Sequence, residues 1–218
     1  MRKHILCLGD SNTHGYCAQS WDCEDGIRFN EDERWPKLME KQLGESCYVT
    51  EEGLSGRTTV FSDPLEENMD ALSYIYGILK SHKPIDLMIV MLGTNDTKER
   101  FGANACCIAE GMARLLKKAL TVDCWRDDTP NILLVSPPPI EDGLYTSYVV
   151  GTMGAGCVEK SRQLEKEYRK LAEAMNIHFI SAAGCELNDT DFMHLTKKGH
   201  KQLADKMTDA VRSIMEEI

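Results

Sequence analysis

Four residues of this 218-residue chain have the types that acyl-transfer chemistry needs: Ser11, Asn95, Asp191 and His194. A serine hydroxyl is a poor nucleophile until a base takes its proton. A histidine serves as that base when a carboxylate on its other ring nitrogen fixes tautomer and orientation. Asp191 and His194 are three apart, close enough on one turn to point the same way, so His194 Nε2 is expected to face Ser11 while Asp191 holds Nδ1. Asp189, five residues from His194, is an alternative partner that fits one turn less well. The oxyanion of a tetrahedral intermediate would need preorganised donors. Candidates are the Ser11 backbone N–H, the N–H of a glycine in the turn after residue 52, and the Asn95 side-chain amide. Gly53 and Gly56 both qualify for the second place, because a glycine lets the backbone approach a ligand with no side chain between. Each residue also has a plain structural reading: Ser11 or Asn12 as a helix cap, Asn95 as a turn former, His194 as a histidine before a helix. What favours the chemical reading is whether the fold brings all of them to one place.

The elements that would do so can be read in order. Residues 5–8 form an apolar run, too short for a helix and apolar on both faces, that stops at Gly9-Asp10-Ser11; this is a buried first strand. Residues 86–92 and 132–136 repeat the pattern and end in Gly93-Thr94-Asn95-Asp96 and Pro137-Pro138-Pro139. Residues 48–52 are a weaker strand, since two glutamates fit a strand poorly, and 177–180 a short one. Apolar residues at steps of three and four predict helices over 34–43, 66–81, 104–120 and 159–175, and a last one through Leu203, Met207, Val211 and Ile214. Residues 19–33 read as a long rim loop. Residues 140–156, holding Tyr145, Tyr148, Val149, Val150 and Met153 without a period, read as an irregular, partly apolar loop over the site. Strands alternating with helices predict a doubly wound parallel α/β sheet of five strands, a single domain over 1–218. All carboxyl ends of such strands lie on one edge, which would gather Ser11, the Gly56 turn, Asn95 and the Asp191/His194 segment.

Composition narrows the function. Lys+Arg 25 against Asp+Glu 35 gives a net charge of -10, which argues against nucleic acid or an anionic membrane surface as partner. The apolar run after the basic amino terminus is already the first strand, and no stretch approaches the length of a membrane span, so a cytoplasmic protein is expected. The nine cysteines, odd in number and without C-x-x-C, read as reduced thiols, and the six scattered histidines give no metal-ligand spacing; neither a metal nor another cofactor is expected.

With these residues placed, the chain resembles the SGNH, or GDSL, hydrolases over essentially its full length. Gly9-Asp10-Ser11 is similar to the nucleophile block, Gly56 to the glycine block, Gly93-Thr94-Asn95-Asp96 to the asparagine block and Asp191-x-x-His194 to the acid-base block. Arg34-Trp35-Pro36, the segment from Glu51 to Thr59, Met91 to Lys98 and Ser136 to Pro139 resemble the arylesterase and acyltransferase branch. The resemblance implies a flavodoxin-like three-layer α/β/α sandwich, metal-independent hydrolysis of a small-molecule ester, a catalytic set of Ser11, Asp191 and His194, and an oxyanion hole of Ser11, Gly56 and Asn95. It also implies assembly into a homo-oligomer. The departures are Asn12, which stands where the family usually has leucine and is expected to make the pocket wall more polar, and residues 140–156, which match that branch poorly. Asp10, Asn12, Ser55, Thr94, Met153 and Met193 are the expected substrate-pocket residues, with Tyr16 and Trp35 as further candidates and His14 at the rim.

Two other functional classes fit the sequence less well. A flavin- or nucleotide-phosphate-binding module would use the Ser/Thr-rich turn after the first strand as an anion cradle, but it leaves Asn95 and the Asp191/His194 pair unexplained, and no G-x-x-x-x-G-K-[ST] is present. An α/β-hydrolase would need G-x-S-x-G, whereas the serine here lies in Gly9-Asp10-Ser11-Asn12-Thr13 at the start of the chain.

Overall fold

The computed structural model describes residues 2–216. Its five strands are β1 (Lys3–Gly9), β2 (Cys47–Gly53), β3 (Leu87–Met91), β4 (Ile132–Ser136) and β5 (His178–Ser181), all parallel in the order β2-β1-β3-β4-β5. The helices are α1 (Ser11–His14), α2 (Trp35–Leu43), α3 (Ala71–Ser81), α4 (Ala105–Leu120), α5 (Val150–Met153), α6 (Cys157–Met175) and α7 (Lys197–Glu216).

Alternation along the strands divides the core into two layers. Leu6, Leu8, Met88, Val90, Ile132 and Leu134 point to the face covered by α3, α4 and α6. Ile5, Cys7, Leu87, Ile89, Met91, Leu133 and Val135 point to the face covered by α2 and α7. This is why β1, β3 and β4 are continuous apolar runs: each is covered on both sides. β2 tolerates Glu51 and Glu52 because it is an edge strand. There Glu51 takes a two-pronged ion pair from Arg34, at 2.7 and 2.8 Å, and Glu52 lies 2.9 Å from His82 Nε2.

The chain leaves β1 for β2 on one side and returns to place β3 on the other, so the strand order reverses at β1. Open α/β sheets bind ligands at such a reversal, outside the carboxyl ends of the strands. Gly9 is level with Gly53 and with Met91, so the loops after β1, β2 and β3 start from one line.

Three expectations need correction. The helix expected from 66 begins at Ala71, because the Asp70 carboxylate caps it by accepting from Ser73 N–H at 2.9 Å. The helix expected from 159 begins at Cys157. Residues 140–156 are not irregular: a 3₁₀ turn, Asp142–Thr146, and α5 fold over a small apolar cluster of Ile140, Leu144, Met153, Cys157 and Val158. Single turns are too short to show a period, so the sequence pattern was silent on them. Among the described residues no helix is long and apolar enough to cross a membrane.

Candidate active site

The turn that carries Ser11 is built by Asp10. Its carboxylate caps α1, Oδ1 accepting from Asn12 N–H at 3.0 Å, and Gly15 ends the helix in the left-handed region after a single turn. Ser11 therefore sits as the first residue of α1, beyond the end of β1, and is 7% exposed.

The partner of Ser11 comes from the other end of the chain. His194 Nε2 lies 2.7 Å from Ser11 Oγ, and His194 Nδ1 lies 2.7 Å from Asp191 Oδ2. The second oxygen of Asp191 accepts from Asn188 Nδ2 at 2.7 Å and from the backbone N–H groups of Met193 and His194, each at 3.1 Å. Asn188 in turn accepts from Thr190 and Asp191 N–H through Oδ1 and donates to the His194 carbonyl at 2.8 Å. Within this turn Phe192 has φ 62°, a conformation that a bulky residue adopts only where its surroundings impose it. Burial pushes the Asp191 carboxyl up, but the hydrogen bonds from His194, Asn188 and Met193 together outweigh it and hold the carboxyl at about 2. Asp191 therefore carries its charge at any pH at which the protein would work. Asp189 is engaged elsewhere, by the Gln19 side chain, and is not the partner of His194.

Facing Ser11 from β2 and β3 are Gly56 and Asn95. A tight turn, closed by Arg57 N–H to the Leu54 carbonyl at 3.1 Å, puts Gly56 at φ 90°, where a side chain would be strained. Asn95 Nδ2 donates to the Arg57 carbonyl at 3.2 Å, joining that turn to the end of β3. Between the two glycines left open by sequence, Gly56 borders the cleft. Gly53 is required for a different reason: a Cβ there would lie 2.3 Å from the His14 nitrogen, so its role is the close approach of β2 to α1.

Ser11 and His194 lie on the floor of a cleft of about 150 Å³ that is also lined by Tyr16, Ser55, Gly56, Asn95, Lys98, Val149, Thr152, Met153 and Met193. Of the expected pocket residues, Ser55, Met153 and Met193 line it. Asp10, Asn12 and Thr94 do not: Asp10 is turned into the fold as the cap of α1, Thr94 is buried, and the Asn12 amide is consumed by the His194 segment. The wall beside Ser11 is thus not made polar by Asn12. Tyr16 does line the cleft, its ring 4.7 Å from that of His194, whereas Trp35 is buried between α2 and α7 and His14 lies outside it. Of the expected apolar mouth, Val149 joins Met153 and Met193, but Tyr148 and Val150 face solvent and the Tyr145 hydroxyl is bonded to Glu159.

Lys98 and Thr152 are pocket residues that sequence reasoning missed. Lys98 is buried with its ammonium 3.4 Å from Asp63 Oδ2, both oxygens of Asp63 being held by Arg100 at 3.0 and 2.7 Å. Burial, helped by the nearby Arg100 charge, lowers its pKa. No local pattern marks a lysine in the loop beyond a strand as part of a pocket.

Behind the floor lie two further buried carboxylates. Asp96 Oδ1 accepts from Thr59 N–H at 2.9 Å and from the Thr59 hydroxyl, which ties the β2 loop to the β3 loop. Burial pushes Asp10 and Asp96 up to about 6 each, against the lowering effect of those hydrogen bonds.

Comparison with known proteins agrees with this geometry. The model of the GDSL-like Lipase/Acylhydrolase family matches residues 7–202. No curated protein sequence matches significantly. Among solved structures, an aryl esterase of M. smegmatis is 36% identical, with a TM-score of 0.86 over 97% of this chain and 99% of that one. Est24, a carbohydrate acetylesterase from Sinorhizobium meliloti, is 34% identical, with a TM-score of 0.87 over 98% and 100%. A putative arylesterase from Agrobacterium tumefaciens is 31% identical, with a TM-score of 0.82 over 97% and 99%. Fold, motif order and full-length similarity coincide, and the chain belongs to the GDSL-like lipase/acylhydrolase family as a carboxylic ester hydrolase of the SGNH type.

Proposed function

We propose that the protein is a serine esterase that cleaves short-chain, acetyl-type esters through an acyl-enzyme on Ser11. The observation that carries this reading is the unbroken Ser11–His194–Asp191 relay, two contacts of 2.7 Å each, on the floor of a small cleft. Ser11 Oγ attacks the ester carbonyl as its proton passes to His194 Nε2. Asp191 holds the ring and stabilises the imidazolium. The new oxyanion is met by the Ser11 and Gly56 N–H groups and by the Asn95 amide, whose other N–H is already fixed on the Arg57 carbonyl. Collapse expels the alcohol, which takes the proton from His194. Water, deprotonated by the same nitrogen, then releases the acid.

Two features support a short acyl group. The cleft, at about 150 Å³, is smaller than the roughly 300 Å³ at which drug-sized ligand pockets begin. Its far wall is closed by Met153 and Met193, which belong to the packed cover over the site. The same apolar wall would hold an alcohol beside the acyl-enzyme, so transfer to an added alcohol is expected as a secondary reaction. The similarity to a carbohydrate acetylesterase and an aryl esterase supports the short acyl group.

The test is a series of aryl esters of increasing acyl length, run with and without a primary alcohol, together with a fluorophosphonate probe. Acetate should be the fastest substrate, new ester should appear alongside free acid, and the label should fall on Ser11. A label on another serine, or a maximum at long chains, would overturn the assignment.

A further inference from the structure

Asn12 is 1% exposed and follows the nucleophile directly, yet its side chain does not reach the cleft. It reaches across 181 to 183 positions of sequence to the segment that carries the base. Asn12 Nδ2 donates to the Met193 carbonyl at 3.1 Å, and Asn12 Oδ1 accepts from Leu195 N–H at 2.9 Å. These two backbone groups belong to the residues on either side of His194. One side-chain amide thus pairs with the chain as a neighbouring strand would, and the histidine between the two contacts is held toward α1. Asn12 is itself anchored, its backbone N–H being held by the Asp10 cap at 3.0 Å.

Asn188 and Asp191 fix the shape of the His194 turn from within, but they move with it. They do not set its distance from the serine. The Asn12 amide bears on that distance directly, because it belongs to the same single helical turn as Ser11. We infer that Asn12 is a positioning residue that couples nucleophile to base, holding His194 Nε2 at 2.7 Å from Ser11 Oγ. Leucine, the residue that the family usually carries here, could pack in the same space but could satisfy neither Met193 C=O nor Leu195 N–H. A misplacement of about 1 Å in a reacting pair costs on the order of 100-fold in rate.

This inference rests on the reading of Ser11 and His194 as nucleophile and base, and the two can fail separately. Ser11→Ala tests that reading alone. For Asn12, the experiment is steady-state hydrolysis of an aryl acetate by Asn12→Leu and Asn12→Asp, with kcat divided by the sites titrated in an acylation burst, so that a misfolded fraction does not count. Asn12→Leu should lower kcat per titrated site by about 10- to 100-fold and slow fluorophosphonate labelling of Ser11 by the same factor, with KM within about twofold, since Asn12 does not touch the cleft. Asn12→Asp keeps the acceptor for Leu195 N–H and loses the donor to Met193, so it should fall between; it carries the test if the leucine variant does not fold. A kcat per titrated site within twofold of the parent, or a loss that appears in KM instead, would overturn the proposal even with Ser11→Ala inactive.

Discussion

Asp191 and Asp96 are equally buried, and their carboxyl groups are driven in opposite directions, to about 2 and about 6. The difference is in the donors each one meets. Asp191 lies in a turn whose backbone curls around it: two backbone N–H groups, an amide and an imidazole share its two oxygens. Asp96 has the Thr59 N–H and hydroxyl on one oxygen, while Oδ2 has no hydrogen-bond partner among the described residues; Asp10 is in the same position, its Oδ2 also unpartnered. Burial alone always disfavours the charged carboxylate; at Asp191 the hydrogen bonds and the His194 charge together reverse it, and at Asp96 the Thr59 contacts do not. The turn that orients His194 is therefore charged and fully bonded, while the layer behind Ser11 takes up protons readily.

The largest effect should come from breaking the first of these regions. Asp191→Asn preserves size but removes the charge and presents an amide to His194 Nδ1. The ring can then be held in the tautomer that already bears a proton on Nε2, which cannot take one from Ser11. On the proposed mechanism kcat should fall by about 10⁴-fold, measured with an aryl acetate, with far-ultraviolet circular dichroism unchanged. A loss below about tenfold would mean that the Asp191 charge does not serve the base.

The next effect probes the loop of the second region. Asn95 precedes Asp96 at the end of β3, and its amide is aimed by the Arg57 carbonyl. Asn95→Ala removes a donor that would matter mainly once the oxyanion has formed, so kcat should fall by about 10²- to 10³-fold with a much smaller change in KM. An unchanged kcat would remove Asn95 from the oxyanion hole.

How far the sequence foretold each region follows from where the information lies. β1, β3 and β4 are legible because strands covered on both faces must be apolar throughout, whereas β2 is blurred by glutamates that only an edge with Arg34 and His82 nearby explains. Ser11, Asn95, Asp191 and His194 are legible because strand ends and a three-residue spacing place them, without any knowledge of distant contacts. Asn188, Lys98 and Thr152 are not: Asn188 reads as an ordinary turn residue until its amide is seen to close on Asp191 and His194, Lys98 owes its place to Asp63, far off in sequence, and Thr152 to the packing of the cover. The polarity of Asn12 suggests the pocket wall, but sequence does not reveal that one turn of helix points the residue after Ser11 away from the cleft and at residues 193 and 195.

The smallest effect, and the one that tests the comparison itself, is the pH dependence of stability. In the fold Asp96 is raised to about 6, and its ordinary value is 3.8. Between these values the folded state binds the proton more tightly than the unfolded one, so this group makes stability fall as pH rises from about 4 to about 6, and its effect levels off above. Asp191 has the opposite sign in a lower window: held at about 2, it adds stability above 3.8 that is lost as pH falls through 2. His200, buried and lowered to about 3 by burial first and by the charges of His194 and Arg34 second, also makes stability rise with pH, up to 6.5. The net curve of the parent therefore mixes signs, but a difference curve does not. Asp96→Asn keeps an acceptor oxygen for Thr59 and cannot ionise, and it leaves Asp191 and His200 in place. Urea unfolding of the two proteins at pH 4, 5, 6 and 8 should show Asp96→Asn gaining on the parent by about 1 to 2 kcal/mol between pH 4 and 6, with only about 0.4 kcal/mol more by pH 8. A flat difference would mean that the buried oxygen of Asp96 has found a donor, and that the two regions do not differ as their hydrogen bonds indicate.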